Sequence, residues 1–496
     1  MAIAAEVKGG LVAGSIALAV GAFALNNALV GVFYDDGLYA GLASALAGGI
    51  GYVHPHLPTS PAAVHYPPLY PLVLTPLFGL FSVTAAGFMG KVINLLLSAG
   101  GAGLIAWHAT RTGLIDPLAP RWSAPAIVAA AAIAIPTLAT QSVLFAEPLF
   151  SVLLACAVVA ADRGARPWIV GGAAALALLT RSIGIAAAAG IACFLFTRVP
   201  PPRKALLTAM IPVVVAGTAW ALWVGTHARA IDPWLATTYG SYGEVLRQTG
   251  FSALGVSARD LSRPLEAITL GWIPIRWLFV IAATAALGVG LYGLVLLSRR
   301  SAIGFTLVFY LLILAVWPYP ADRFLWAVLP WLGLAWAMGA VALWRRPRLR
   351  VPVGLLGALL VIGFTQYEIR GLSGRWWETQ ARAISANFTE LLPVIAELPA
   401  DAVVAVDDEA LVWLYTRRRA VPFYLERSRG REVVRPTPAE HRDYLERMSV
   451  THVVLASASS PSAGELRGLI EAYPGWLTAV YRWPGGRWLF EVRRGQ

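Results

Sequence analysis

The chain of 496 residues is 58% hydrophobic and 13% charged. Soluble proteins carry roughly 25% charged residues, so this composition excludes an ordinary soluble enzyme and describes a protein that crosses a membrane many times. The formal charge of +12 does not indicate a nucleic-acid partner: the surplus sits in the first 367 residues, whereas Glu368–Gln496 is nearly balanced, with 17 basic and 16 acidic residues.

The first apolar tract, Gly9–Phe33, exceeds the core of about 7–15 residues of a cleavable signal peptide and is read as a retained span. A span needs about 20 apolar residues. Further candidates are Ala86–Trp107, Ala124–Leu138, Val143–Ala161, Trp168–Thr180, Ile183–Thr197, Ala205–Gly225, Ile273–Ser298, Ile303–Trp317, Phe324–Trp344 and Val351–Tyr367, about eleven in all. Lys8, Arg111, Arg121, Arg163, Arg166, Arg198, Arg203, Lys204, Arg299, Arg300, Arg345, Arg346, Arg348 and Arg350 then fall in alternate connections. A basic bias of this kind marks the cytoplasmic side. It predicts a multi-pass protein of the inner (plasma) membrane, with its N-terminus cytoplasmic and its tail extracytoplasmic. No broken helix or paired repeat is read. Cys156 and Cys193 lie in apolar runs and read as core residues.

Two outer connections are long. Gly37–Phe81 contains a helical Leu38–Ala47, a Pro/His-rich stretch and a second short helix after Tyr66-Pro67-Pro68-Leu69-Tyr70; both helices are expected at the outer interface. Thr226–Trp272 carries Trp234, Tyr239, Tyr242, Arg259 and Arg263. The sequence divides into a transmembrane domain, 1–367, and an extracytoplasmic α/β domain, 368–496. In the latter Ala402–Val406, Val450–Leu455, Trp476–Trp483 and Trp488–Val492 read as strands, with helices at Asp408–Thr416, Ala439–Met448 and Ala463–Ala472. Arg417-Arg418-Arg419 reads as a solvated face.

Chemistry concentrates at the outer edge. Asp35 and Asp36 stand where the first apolar tract ends. They suit a helix N-terminus, but two adjacent carboxylates at a membrane border are a candidate functional site, and mutual repulsion raises one pKa towards that of a general base. His65 and Tyr70 are expected to face the same cavity. His54, His56 and His65 with the two Asp match no compact zinc spacing. The residues leave metal binding undetermined and a divalent cation open. Glu147 opens a span. Arg181, between two short spans, and Arg323 are candidates for a bidentate phosphate clamp, with a local pair to Asp322 as the alternative for Arg323; Arg259, Arg263 and Arg276 are weaker copies. Asn387-Phe388-Thr389 fits a glycosylation acceptor pattern that chance often produces.

Together these motifs resemble the GT-C fold membrane glycosyltransferases, in the bacterial branch related to protein O-mannosyltransferases and lipid A aminoarabinose transferases. The likeness rests on Tyr34-Asp35-Asp36-Gly37-Leu38-Tyr39, His65-Tyr66-Pro67-Pro68-Leu69-Tyr70, Ala146-Glu147-Pro148-Leu149-Phe150, Thr180-Arg181 and Asp322-Arg323-Phe324-Leu325, across about residues 1–350. Asp36 departs from the family's frequent Glu. The resemblance implies a polyprenyl-phosphate sugar donor and a glycan, lipid or protein acceptor. It implies inverting transfer with Asp35 as base, Asp36, Glu147, Tyr39 and Tyr70 orienting substrate, and Arg181, Arg323 and His65 holding the phosphate. A transporter or flippase of lipid-linked sugars is the alternative, and a sensor working through its outer domain a third. Removing the tail is expected to silence a sensor but to leave a transferase its cavity.

Overall fold

A computed structural model describes residues 4–115, 119–197, 203–228, 231–249, 260–317, 320–374, 376–429 and 432–493. Its helices are α1 (Ala5–Ala24), α2 (Asp35–Ala47), α3 (Leu69–Leu80), α4 (Val83–Thr112), α5 (Ser123–Ile133), α6 (Ile135–Gln141), α7 (Glu147–Asp162), α8 (Pro167–Thr180), α9 (Ile185–Phe196), α10 (Arg203–His227), α11 (Ala236–Tyr239), α12 (Tyr242–Thr249), α13 (Arg263–Thr269), α14 (Arg276–Ser298), α15 (Ala302–Ala315), α16 (Asp322–Ala327), α17 (Leu329–Trp344), α18 (Arg350–Gly374), α19 (Trp376–Ala396), α20 (Glu409–Thr416), α21 (Pro438–Arg447) and α22 (Pro461–Ala472). The strands are β1 (Val403–Val406), β2 (Arg419–Pro422), β3 (Arg427–Arg429), β4 (Glu432–Val434), β5 (His452–Leu455), β6 (Leu477–Trp483) and β7 (Arg487–Val492). The chain forms two compact units: Met1–Leu25, Lys91–Ala221 and Phe251–Trp377 make the first; Asn26–Gly90, Leu222–Gly250 and Glu378–Gln496 make the second.

The first unit is helical. Small residues let its helices approach closely, as membrane packing favours: a Cβ on Gly10 of α1 would lie 2.9 Å from the Gly103 carbonyl of α4. Asp162, at the end of α7, accepts from His108 of α4 at 2.9 Å and from Ser301 and the Ala302 N–H at the start of α15. Among the described residues five helices are long and apolar enough to cross a membrane, or six if one bent pair counts as a span. The expected eleven therefore exceeds the number of helices of spanning length; several expected spans fall on shorter helices such as α7, α8, α9, α15 and α17.

Two expected spans change shape. Ala124–Leu138 is broken at Ala134 into α5 and α6, bent by 59°. Pro136 lacks the N–H that would continue the helix, and the freed Ile135 N–H donates to Glu368 Oε2 at 2.9 Å. Gly9–Phe33 is helical only to Ala24; Asn26 then accepts from the Ala28 N–H, and the following residues belong to the second unit.

In the second unit the sheet order is β2-β1-β5-β7-β6, parallel across β2-β1-β5 and antiparallel beyond. The four expected strands and three expected helices of the tail form near their predicted positions, and β1 is buried along its length. Strands β2, β3 and β4 were not anticipated. The arginine run that leads into β2 is not simply a solvated face: Arg418 donates to the Leu398 and Ala396 carbonyls at 2.7 and 2.8 Å, closing the end of α19. The tail is also bound to the acidic segment. Val32 lies in the same core as Leu391, Val404, Leu411 and Val412, with Ala28, Leu29 and Phe33 packed against it. Truncating the tail would therefore strip the packing from the turn before Asp35, and does not separate a sensor from a transferase as expected.

Candidate active site

The acidic pair opens α2, where the N-terminal dipole favours negative charge. The two carboxylates differ. Asp36 is 1% exposed. Its two oxygens accept from the backbone N–H groups of Gly31 at 2.9 Å and Phe33 at 3.0 Å, closing the turn that leads into the helix. Gly31 has φ +106°, and a Cβ there would lie 2.6 Å from the Leu411 Cβ, so only glycine fits. Asp35 is partly exposed and accepts from the Tyr66 hydroxyl at 2.8 Å. Burial, then the Asp35 charge, hold the Tyr66 phenol well above its ordinary range, so it stays protonated and donates.

Tyr39 meets Tyr66 and Tyr70 edge-on, with ring centroids 5.1 and 5.0 Å apart. Asp35, Tyr66, Tyr39 and Tyr70 thus form one chain of contacts, and Tyr66 is a member of the predicted motif that the sequence does not single out. Tyr39 and Tyr70 are buried behind it. His65 Nδ1 donates to the Gly240 carbonyl at 2.9 Å, with its ring 4.2 Å from that of Tyr242.

Beneath the pair lies a buried network. The Tyr34 hydroxyl donates to Glu409 Oε1 at 2.6 Å, Tyr239 donates to the same oxygen, and His56 Nε2 meets the Tyr239 hydroxyl at 2.9 Å. Burial pushes His56 down to about 3, so it is neutral, and pushes Glu409 up to about 7. Glu409 was read only as the start of a helix. The one sequence signal was the run Asp407-Asp408-Glu409 directly after a strand.

The other predicted residues gather in the first unit. Glu147 forms an ion pair with Arg181 and has Arg323 Nε at 3.9 Å. Arg181 stands in extended backbone just past α8, its guanidinium 4.3 Å from the Phe324 ring; that of Arg323 is 4.6 Å from Phe145. The turn before Glu147 is fixed by Asn94, which donates to the Val143 and Phe145 carbonyls at 2.8 and 3.1 Å. Lys91, one turn before Asn94, is buried and was not singled out. A cavity of about 40 Å³ beside Glu147 is lined by Ser98, Thr137, Thr140, Ser151 and Trp326. At about 10–15 Å³ per water it has room for a few waters and not for a sugar. Of the weaker candidates, Arg263 pairs with Asp260 at 3.1 Å, Arg276 is exposed and Arg259 lies outside the described residues. Among the described residues no group of three or more His, Cys, Asp or Glu is placed to hold a metal ion.

No protein-family model matches the chain, and no curated protein matches it. Solved structures do. ArnT from Cupriavidus metallidurans in the apo state is similar at TM-score 0.55 and 16% identity, over 96% of each chain. The oligosaccharyltransferase AglB from Archaeoglobus fulgidus, in complex with an inhibitory peptide and a dolichol-phosphate, is similar at TM-score 0.52 and 13% identity, over 99% of this chain and 74% of AglB. This likeness shows the fold, which is the GT-C fold that the sequence resembles.

Proposed function

We propose that the protein is a membrane glycosyltransferase that moves one sugar from a polyprenyl-phosphate donor to an extracytoplasmic acceptor, inverting the anomeric carbon. The observation that carries this reading is the unequal state of the acidic pair. Both Asp36 oxygens accept backbone N–H groups, whereas Asp35 is partly exposed at the helix start. Asp35 is therefore the base. It takes the proton from the acceptor as the acceptor attacks the anomeric carbon, a step worth about 10²–10⁴-fold. Asp36 shapes the turn.

The leaving group is a lipid phosphate, which needs positive charge rather than a strong acid. Arg181 and Arg323 supply it. Glu147 is engaged with Arg181, so its role is to hold the guanidinium in place rather than to touch the sugar. His65, engaged by Gly240, supports the loop that carries Tyr66, and Tyr39 and Tyr70 orient substrate through Tyr66. The neighbour AglB was solved with a dolichol-phosphate, a carrier of the same chemical type. The N-terminus is cytoplasmic and the α/β domain extracytoplasmic.

The test is incubation of the purified full chain with a panel of radiolabelled polyprenyl-phosphate monosaccharides. Transfer or hydrolysis of at least one, lost in Asp35→Asn, supports the reading; near wild-type turnover by that variant overturns it. The break between α5 and α6 is the observation that favours a transporter, since such proteins place broken helices at their sites. Movement of the intact lipid-linked sugar across vesicles without bond cleavage would decide for it.

A further inference from the structure

The geometry points to Glu409 as a positioning residue for the acidic pair: its carboxylate, on the first turn of α20, pins Tyr34 and thereby fixes the backbone that aims Asp35. This rests on the proposed transferase reading for its kinetic consequence, but its structural content stands apart from it.

The backbone ahead of Asp35 is strained. Tyr34 has φ 64° and ψ −72°, and the Asp35 N–H donates to the Phe33 carbonyl at 2.8 Å. This is the γ-turn of positive φ, a rare and strained form. A side chain held there adds about 1–3 kcal/mol and persists only where the surroundings over-determine it. Here α20 supplies much of that determination. Glu409 accepts from the Tyr34 hydroxyl, and one turn and a half later Tyr415 accepts the Val30 N–H at 3.0 Å. Leu411 packs on Gly31, and Ala410 faces Gly37 across 3.2 Å from where a Cβ would stand. Ser385 of α19 accepts the Leu29 N–H at 3.1 Å. The strained residue thus touches the α/β domain through its own hydroxyl.

The chemistry of the network suits a clamp. Neutral His56 donates to Tyr239, which donates to Glu409 Oε1 together with Tyr34. Hydrogen bonds to an ionised acceptor are roughly twice as strong as neutral ones. Among the described residues no other side chain bonds Oε2, so a proton arriving at Glu409 goes there and weakens both tyrosine bonds without replacing them. Among the described residues, the groups that act on Glu409 are Tyr34 from the turn, Tyr239 with His56 behind it, Tyr444 from α21, and Asp407 and Asp408 on its own segment; Asp36 acts on Asp408. Burial is the main reason that Glu409 titrates near neutrality, at about 7.

The experiment compares full-length wild type, Glu409→Gln and Tyr34→Phe by hydrogen–deuterium exchange and by sugar transfer. Glu409→Gln is expected to speed exchange of the 30–36 amides at least 10-fold, with the strands of the sheet unchanged. It is expected to lower kcat at least 10-fold while the donor KM moves less than threefold. The wild-type kcat is expected to rise with pH through about 7, and that limb to be missing in Glu409→Gln. Tyr34→Phe, which removes one hydroxyl, is expected to reproduce the exchange change and to decide the matter if Glu409→Gln does not fold. Wild-type exchange at 30–36 in both variants, or an unaltered pH limb in a folded Glu409→Gln, overturns the assignment. A wild type that transfers no sugar sinks the transferase reading instead, and exchange alone then decides the clamp.

Discussion

Two clusters of buried ionisable groups, one in each unit, solve the burial of charge by different means. In the first unit a buried carboxylate, Glu147, is matched by guanidinium groups from α16 and from the end of α8. In the second unit the buried carboxylate of Glu409 is matched by two phenols, and Asp36 by two backbone N–H groups. A cation fixes a carboxylate's charge; a neutral donor leaves it free to gain and lose a proton. The first arrangement pairs a carboxylate with guanidinium groups, which is what the proposed phosphate clamp needs. The second pairs its carboxylates with neutral donors, which is what the proposed proton transfer needs.

The sharpest way to break this comparison is inside the acidic pair. Asp35→Asn is expected to lower kcat about 10³-fold, within the usual range for a lost general base. Asp36→Asn removes a charge but keeps one carbonyl acceptor for the Gly31 and Phe33 N–H groups; a loss nearer 10-fold is expected. Parallel turnover assays decide, and equal losses would mean that the pair acts as one unit.

In the first unit the corresponding perturbation is Glu147→Gln. It removes the carboxylate that pairs with the buried Arg181, which is expected to destabilise the fold by about 3–5 kcal/mol. Adding Arg181→Gln is expected to restore most of that stability in denaturation assays but not the activity. If the double variant is no more stable than the single one, the pair is not a compensated charge pair.

How much of this was legible depended on whether the signal was local. The acidic pair, the Tyr66-Pro67-Pro68 segment, Glu147 and Arg181 each sit at an abrupt change from apolar to polar sequence, and such changes survive in a single chain. The tail strands were legible for the same reason, since Val403–Val406 is an unbroken β-branched and apolar run between polar segments. What was not legible depended on distant contact. Nothing near Glu409 in sequence indicates Tyr34, 375 residues away. Residues 26–33 read as the end of a span because they are apolar, but those residues serve the core of the α/β domain. Arg418 reads as solvated because its partners are carbonyls, which leave no trace in composition.

Glu409 offers a smaller and oppositely signed effect. Its folded pKa, about 7, lies above the ordinary carboxyl value of 4.5. The fold therefore binds this proton more tightly than the unfolded chain does. Stability from this group is gained as pH falls from about 7 towards 4.5, and above 7 the ionised form costs the fold on the order of 3 kcal/mol. Glu409→Gln is thus expected to raise the apparent Tm at pH 8, with the difference fading towards pH 5. A Tm lowered at every pH would mean that the carboxylate serves stability and not position.

The smallest effect expected is at Tyr66, and it tests whether Asp35 resembles Glu409 or Glu147. Tyr66→Phe removes the hydroxyl that donates to Asp35 at 2.8 Å and leaves the ring against Tyr39. A hydrogen bond to a charged group is worth about 1.5–3 kcal/mol. That bond stabilises ionised Asp35, the proposed base, so its loss makes Asp35 more basic while loosening its aim. The two consequences oppose each other: a more basic carboxylate takes the acceptor proton more readily, and a looser one is less often in line. The expected result is a kcat lowered about 10-fold, with the acid limb of its pH profile displaced upward because Asp35 now holds its proton to higher pH. A lowered kcat with no displacement would mean that Tyr66 only packs. An unchanged kcat with an upward displacement would mean that the Gly31–Asp36 turn, held by α20, is sufficient to aim the base without it.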